Sequence, residues 1–266
     1  MSAVIQNDEV LDGLTILELE ALTLALELPS LPGAGVHPFG DMGAEQAASA
    51  MLHAMRTCAA KGYVEEVGVG EFQVQSAPAQ ILSAAAWPLS VVRMVTYDGD
   101  SVSAVLFLYL RPQIAVVHSI DLEGHHRLVA RTLDSACDEL VELVSGLVKA
   151  EQDDEAPLVL ARGALSGSDS SVDGINPDRL AEVRRAMRSG AGVRVDLGDA
   201  RFPEQGSLYV GLAAGPDVDP WILSGIGLSD EALVTCRPAT RSHLRGALNG
   251  LLAASSIGDA RGAAAG

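Results

Sequence analysis

The strongest hydrophobic patterning in the chain lies between Ser90 and Thr132. Runs rich in Val, Ile, Leu and Tyr cover Ser90–Tyr97, Ser101–Leu110, Ile114–Asp121 and His126–Thr132. They are punctuated by Asp98-Gly99-Asp100, Arg111-Pro112-Gln113 and Leu122–His125, which suit short hairpin loops. The pattern predicts an antiparallel four-strand meander. Asp134 then opens a helical run in which Leu140, Val144 and Val148 recur every four residues.

Upstream, residues 1–13 read as a flexible leader. Thr15 followed by Glu18 is a capping box, predicting a helix that Pro29 stops after about Leu28. Residues 29–43 read as a surface loop. Ala44–Lys61 carries an apolar stripe through Ala47, Met51, Leu52, Met55 and Cys58, with Gly62 placed to cap its end. Tyr63–Val74 is expected to form two short strands turning at Gly68 or Gly70, and Pro78–Ala86 a short helix.

The plan then recurs. Asn176-Pro177 opens a helix running to Ser189, strand patterns follow at Gly192–Leu197, Ser207–Ala213, Trp221–Ser224 and Ala232–Arg237, and Thr240 caps a last helix. The expected fold is α+β, with two similar lobes in a quasi-two-fold arrangement, each a helix, an antiparallel four-strand meander and a helix. The expected boundaries are 14–150 for the first lobe and 176–254 for the second. An acidic and Ser/Gly-rich linker at 151–175 separates them, and 255–266 is a disordered tail.

Charge narrows the functional classes. Among 266 residues, 18 basic and 35 acidic side chains give a net charge of −17, which repels phosphate backbones and anionic lipid surfaces. Aromatics at 4% leave few platforms for stacking bases. Neither nucleic-acid binding nor membrane insertion is expected. Cys58, Cys137 and Cys236 are far apart and form no CxxC pair, so no zinc site or disulfide framework is expected, and Cys58 and Cys137, inside helical runs, read as buried free thiols. With no secretory signal or long apolar span in the pattern, the expected location is the cytoplasm.

Candidate chemistry is sparse. His118, Asp121, Glu123, His125 and His126 form the densest group of possible metal ligands, and an enzyme using a metal or small molecule at His118–His126 is one alternative reading. Adjacent strand residues point to opposite faces, so His125 and His126 do not converge easily and read instead as solvated turn residues. Ser166–Ser171 lacks a nucleophile elbow, and Gly190-Ala191-Gly192 follows a helix rather than opening one. Arg184 and Arg188, four apart, read as a solvated helix face. Residues 44–86 have the helix, wing and helix order of a winged-helix regulator, but Glu65, Glu66 and Glu71 oppose DNA. No catalytic residue, cofactor or metal is expected.

The order of elements carries a resemblance. A capped N-terminal helix is followed by a helix ending in Lys61-Gly62-Tyr63, a short helix, Trp87-Pro88, a meander with its helix, and a second half of similar order. This resembles the EspG family, the cytosolic chaperones associated with type VII (ESX) secretion systems of actinobacteria. The match is best over Leu14–Val148. The resemblance implies a quasi-two-fold fold without catalysis. It also implies a helical-bundle partner of the PE–PPE type, whose exposed apolar tip the chaperone covers until export. It transfers no short binding motif, so the turns at Tyr97, Asp98, Gly99 and Asp100 and at Arg111, Pro112 and Gln113 are the candidate partner contacts. The loop 29–43 and the Ser/Gly-rich linker depart from the family plan. Oligomeric state is left open.

Overall fold

The structure is a computed structural model that describes residues 9–33, 38–99, 101–148, 156–167, 172, 174–189, 191–199, 208–215, 218–227 and 229–262. The first half contains β1 (Val10–Leu14), α1 (Ile16–Ala25), α2 (Ala44–Ala60), β2 (Val64–Gly68), β3 (Glu71–Val74) and α3 (Ser76–Ala86). The meander follows as β4 (Ser90–Asp98), β5 (Ser101–Arg111), β6 (Ile114–Ile120) and β7 (His126–Arg131), and then α4 (Leu133–Leu143). The second half contains β8 (Leu158–Ala161), α5 (Arg162–Ser166), α6 (Pro177–Arg188), β9 (Ala191–Asp199), β10 (Leu208–Gly215), β11 (Val218–Ile226), β12 (Leu233–Pro238) and α7 (Arg241–Gly262). The chain is α+β, and the pairings of β1 with β7, β7 with β6, β6 with β5, β9 with β10, β10 with β11, β11 with β12, β12 with β8 and β2 with β3 are antiparallel.

Two compact units divide the chain. One holds residues 1–91 and 106–132, the other 92–105 and 133–266. The division differs from the expected boundaries because β5 runs from one unit into the other.

The first unit builds on the strand order β1-β7-β6-β5. Leu106 through Leu110 are all buried, so this stretch of β5 is covered on both faces. The helix start works as the capping box predicts: the Glu18 N–H donates to Thr15 Oγ1 (3.2 Å), and the Thr15 N–H donates to Glu18 Oε2 (2.7 Å). The Lys61-Gly62-Tyr63 stretch has a physical role here. Gly62, at φ +79, turns the chain away from α2. Lys61 Nζ then reaches both Glu18 carboxylate oxygens at 2.8 Å and the Gly13 carbonyl at 2.7 Å. The Tyr63 hydroxyl accepts from the Asp12 N–H and donates to the Asp12 carbonyl. Three consecutive residues thus tie the end of α2 to the β1–α1 turn.

The second unit contains the strand order β4-β9-β10-β11-β12-β8. Val193, Val195, Val210 and Leu212 meet Leu140 and Val144 from the α4 end and Leu244 and Leu248 of α7. A further cluster joins Leu165 of α5 and Leu180, Val183 and Ala186 of α6 to Tyr209, Trp221 and Leu223 of the sheet. Exposed ion pairs Arg241–Glu142 (2.6 Å) and Arg245–Asp138 (2.7 Å) link α7 to α4. All three cysteines are buried free thiols, and burial pushes Cys58 and Cys236 up to about 12.

Four expectations need correction. Residues 10–13, assigned to a leader, form edge strand β1 on β7 together with Leu14. Its sequence Val-Leu-Asp-Gly-Leu breaks alternation at Gly13, where the register shifts, so only pairing reveals it. Residues 158–166, assigned to a linker, form β8 and α5, and β8 pairs with β12. Four consecutive residues, Leu158–Ala161, are too short to display a period. Residues 255–262, assigned to a tail, continue α7 as helical backbone. The helical run expected to reach Val148 ends at Leu143, and a 3-10 turn follows at Ser145–Leu147. Residues 1–8, 149–155 and 168–171 lie outside the described residues.

Candidate partner-binding site

The two turns singled out from sequence are surface features, one in each unit. Asp98 and Gly99 are exposed, and Gly99 adopts φ +62 to reverse the chain between β4 and β5. A hydroxyl–hydroxyl bond between Thr96 and Ser103 (2.7 Å) braces this hairpin. Asp100 lies outside the described residues. Arg111, Pro112 and Gln113 are exposed, with Gln113 at φ 68 in the tight β5–β6 turn. Tyr97 differs from its neighbours: it is only partly exposed and lines a recess in the second unit.

That recess was not anticipated. Its volume is about 610 Å³. Antiparallel pairing puts Gly192, Arg194, Gly211, Ala213 and Leu223 on one face of β9, β10 and β11, and Gly192 and Gly211 bring no side chains. Leu165, Ser166 and Met187 border it from α5 and α6, and Tyr97 from β4. Tyr209 is almost fully buried, and the guanidinium groups of Arg162 and Arg194 lie 5.4 and 5.8 Å from its ring centroid. Arg194 is neutralised by Asp196, with Nε and Nη2 each 2.8 Å from Oδ1. A glycine in a strand is the one sequence signal for such a hollow, and it does not say which face is left bare.

The histidine region takes a form the sequence did not suggest. His118 and His126 are buried, not solvated. Period-2 alternation turns His126 inward with His118 and leaves His125 at the surface. Phe107, Tyr109, His118 and His126 form a row of rings with neighbouring centroids 6.4, 5.8 and 5.1 Å apart. The hydrogen bonds fix the tautomers. The Tyr109 hydroxyl donates to the Pro32 carbonyl (3.0 Å), so it accepts from His118 Nδ1–H (3.0 Å). His118 Nε2 is therefore the acceptor for His126 Nδ1–H at 2.8 Å. Burial and the neighbouring His126 hold His118 down to about 3, and burial also lowers His126. The row is a set of neutral hydrogen bonds that locks three strand positions together.

Asp121, Glu123 and His125 bring their donor atoms within 4.8 Å of one another at the surface. Asp121 Oδ1 already accepts from the backbone N–H groups of Glu123 (2.9 Å) and His125 (2.8 Å), closing the β6–β7 turn. Those backbone bonds, that from His125 foremost, lower the Asp121 carboxyl. Arg184 was read as a solvated residue; it is buried, and its Nε and Nη2 donate to the Ala164 carbonyl, pinning α6 to α5.

No family model matches the sequence, and no curated protein does. Among solved structures, the chain is similar to the Mycobacterium tuberculosis type VII secretion system chaperone EspG5, determined in complex with a PE25–PPE41 dimer. The TM-score is 0.62 at 15% identity, over 92% of this chain and 96% of that chain. No helix among the described residues is long and apolar enough to cross a membrane. Matched along nearly its whole length by a solved chaperone of that kind, this α+β chain has an EspG-like fold.

Proposed function

We propose that this protein is a non-enzymatic, cytosolic chaperone or adaptor of a type VII secretion system, and that it binds a helical, PE–PPE-like substrate. The observation that carries the reading is the likeness of fold to EspG5, which extends over 92% of this chain and 96% of that one. Supporting it, the two histidines that drew attention as possible ligands are neutral and hydrogen-bonded to core partners. An acidic protein with exposed hairpin turns suits a soluble partner rather than phosphate-rich nucleic acid or membrane. The turns Tyr97–Asp100 and Arg111–Gln113 are proposed as partner contacts, because exposed loop residues on a rigid sheet commonly carry recognition. The halves are proposed to repeat one plan: in each, an early edge strand, β1 or β8, returns to the last strand of a meander, β7 or β12.

The test is co-expression with PE–PPE pairs from the same genome, followed by affinity capture and size-exclusion chromatography. A stable co-eluting complex is the expected result. Capture of no such pair, with folded protein confirmed by circular dichroism, would overturn the reading.

A further inference from the structure

We propose that the recess beside Tyr209 is where the helical partner docks an acidic side chain next to an apolar one. This deepens the chaperone reading and rests on it. The shape follows from residue type. Gly192 and Gly211 leave the sheet face uncovered where α6 ends, and a hollow of about 610 Å³ falls in the size range of specific pockets. Leu165 and Met187 beside it offer apolar contact.

Charge selects the occupant. Acidic residues outnumber basic ones 35 to 18 across the chain, yet none of the described residues lining the recess is acidic. Asp196 cancels Arg194. Arg162 has no carboxylate partner among the described residues, while its guanidinium rests over the Tyr209 ring. A guanidinium held against an aromatic ring is pre-organised, and its remaining N–H fork matches a carboxylate. The apolar border lowers the local dielectric and strengthens that pairing. A cation with no carboxylate partner among the described residues, set in a short recess, suits a point contact rather than a strand of phosphates. On a helix, residues three or four apart present an acid and an aliphatic side chain together.

Two substitutions test this without sharing a weakness. A β-carbon at Gly211 would meet nothing closer than 3.8 Å, so Gly211→Leu fills the hollow without a backbone clash. Arg162→Glu reverses the charge at a partly exposed position. The probe is a purified PE–PPE pair from the same genome, titrated calorimetrically against wild type, both variants and Arg241→Ala, which alters a surface ion pair elsewhere on the unit. Each recess variant is expected to bind at least about tenfold more weakly, with Arg241→Ala matching wild type. If Arg162→Glu, shown folded by its thermal midpoint, binds as wild type does, the recess assignment falls and the chaperone reading stands. If wild type itself binds no PE–PPE pair, both fall. Should Gly211→Leu fail to fold, Arg162→Glu decides alone.

Discussion

Acid should weaken this protein more steeply than its carboxylates alone require, because the first unit buries two neutral histidines. In the unfolded chain His118 takes up a proton near pH 6.5; in the folded chain burial and His126 delay that to about 3. Above pH 6.5 neither state is protonated and the residue is silent. Between the two values the unfolded state binds the extra proton, so stability falls as pH falls. Each pH unit is worth a little over about 1 kcal/mol, which gives about 3 kcal/mol at about pH 4.5 from His118 alone. His126 is shifted in the same direction and adds to the loss. That is a large share of the roughly 5–15 kcal/mol that holds a typical domain together. His118→Gln separates this effect from the carboxylates. Its amide oxygen can accept the His126 Nδ1–H in place of Nε2, and it does not titrate. Urea unfolding of both proteins from about pH 7.5 to about pH 4.5 is the assay. The stability difference between wild type and variant should shift by about 3 kcal/mol in the variant's favour across that range. Parallel profiles would refute the argument, because they would mean that His118 is protonated in the native state as readily as in the unfolded one.

Gly33 adopts φ +77, and a β-carbon there would lie 2.5 Å from Phe107 Cε1, so Gly33→Ala should cost more than about 2 kcal/mol in chemical denaturation. Thr15→Ala removes one arm of the capping box and should cost about 1 kcal/mol by the same measurement. Lys61→Met strands the Glu18 carboxylate, which is only 5% exposed. Discounted for the partial exposure of Lys61, the loss at neutral pH should be about 2 kcal/mol. Burial raises the Glu18 carboxyl, but the hydrogen bond and charge of Lys61, with the Thr15 and Thr57 bonds, outweigh it and leave it below its ordinary value. The wild-type advantage is therefore present above about pH 4.5 and should shrink as pH falls below it, which paired urea titrations would detect. Tyr109→Phe deprives the Pro32 carbonyl and His118 Nδ1–H of their partner, and a lowered thermal midpoint equivalent to about 2 kcal/mol is expected.

Much of this architecture was written locally. Period-2 runs and their turns marked the strands from Ser90 to Arg131 within a residue or two, and the second-half strands followed from the same alternation. Thr15, Glu18, Asn176 and Gly62 announced helix ends because a cap involves residues only a few positions apart. Element order was enough to raise the resemblance to EspG that the fold bears out.

What stayed hidden shares one cause: it depends on partners distant in sequence. Edge strands β1 and β8 carry too few residues to show a period and exist because β7 and β12 offer unpaired backbone groups. His126 and Arg184 looked solvated until tertiary contacts supplied His118 and the Ala164 carbonyl. The recess beside Tyr209 needs Gly192 and Gly211 on one face of β9 and β10, with Arg162 delivered by a short helix elsewhere in the chain. Alternation, capping and turn chemistry act over a few residues, so the amino-acid order alone settles them. Burial, tautomer and an uncompensated charge are properties of a neighbourhood, and only the folded chain creates one.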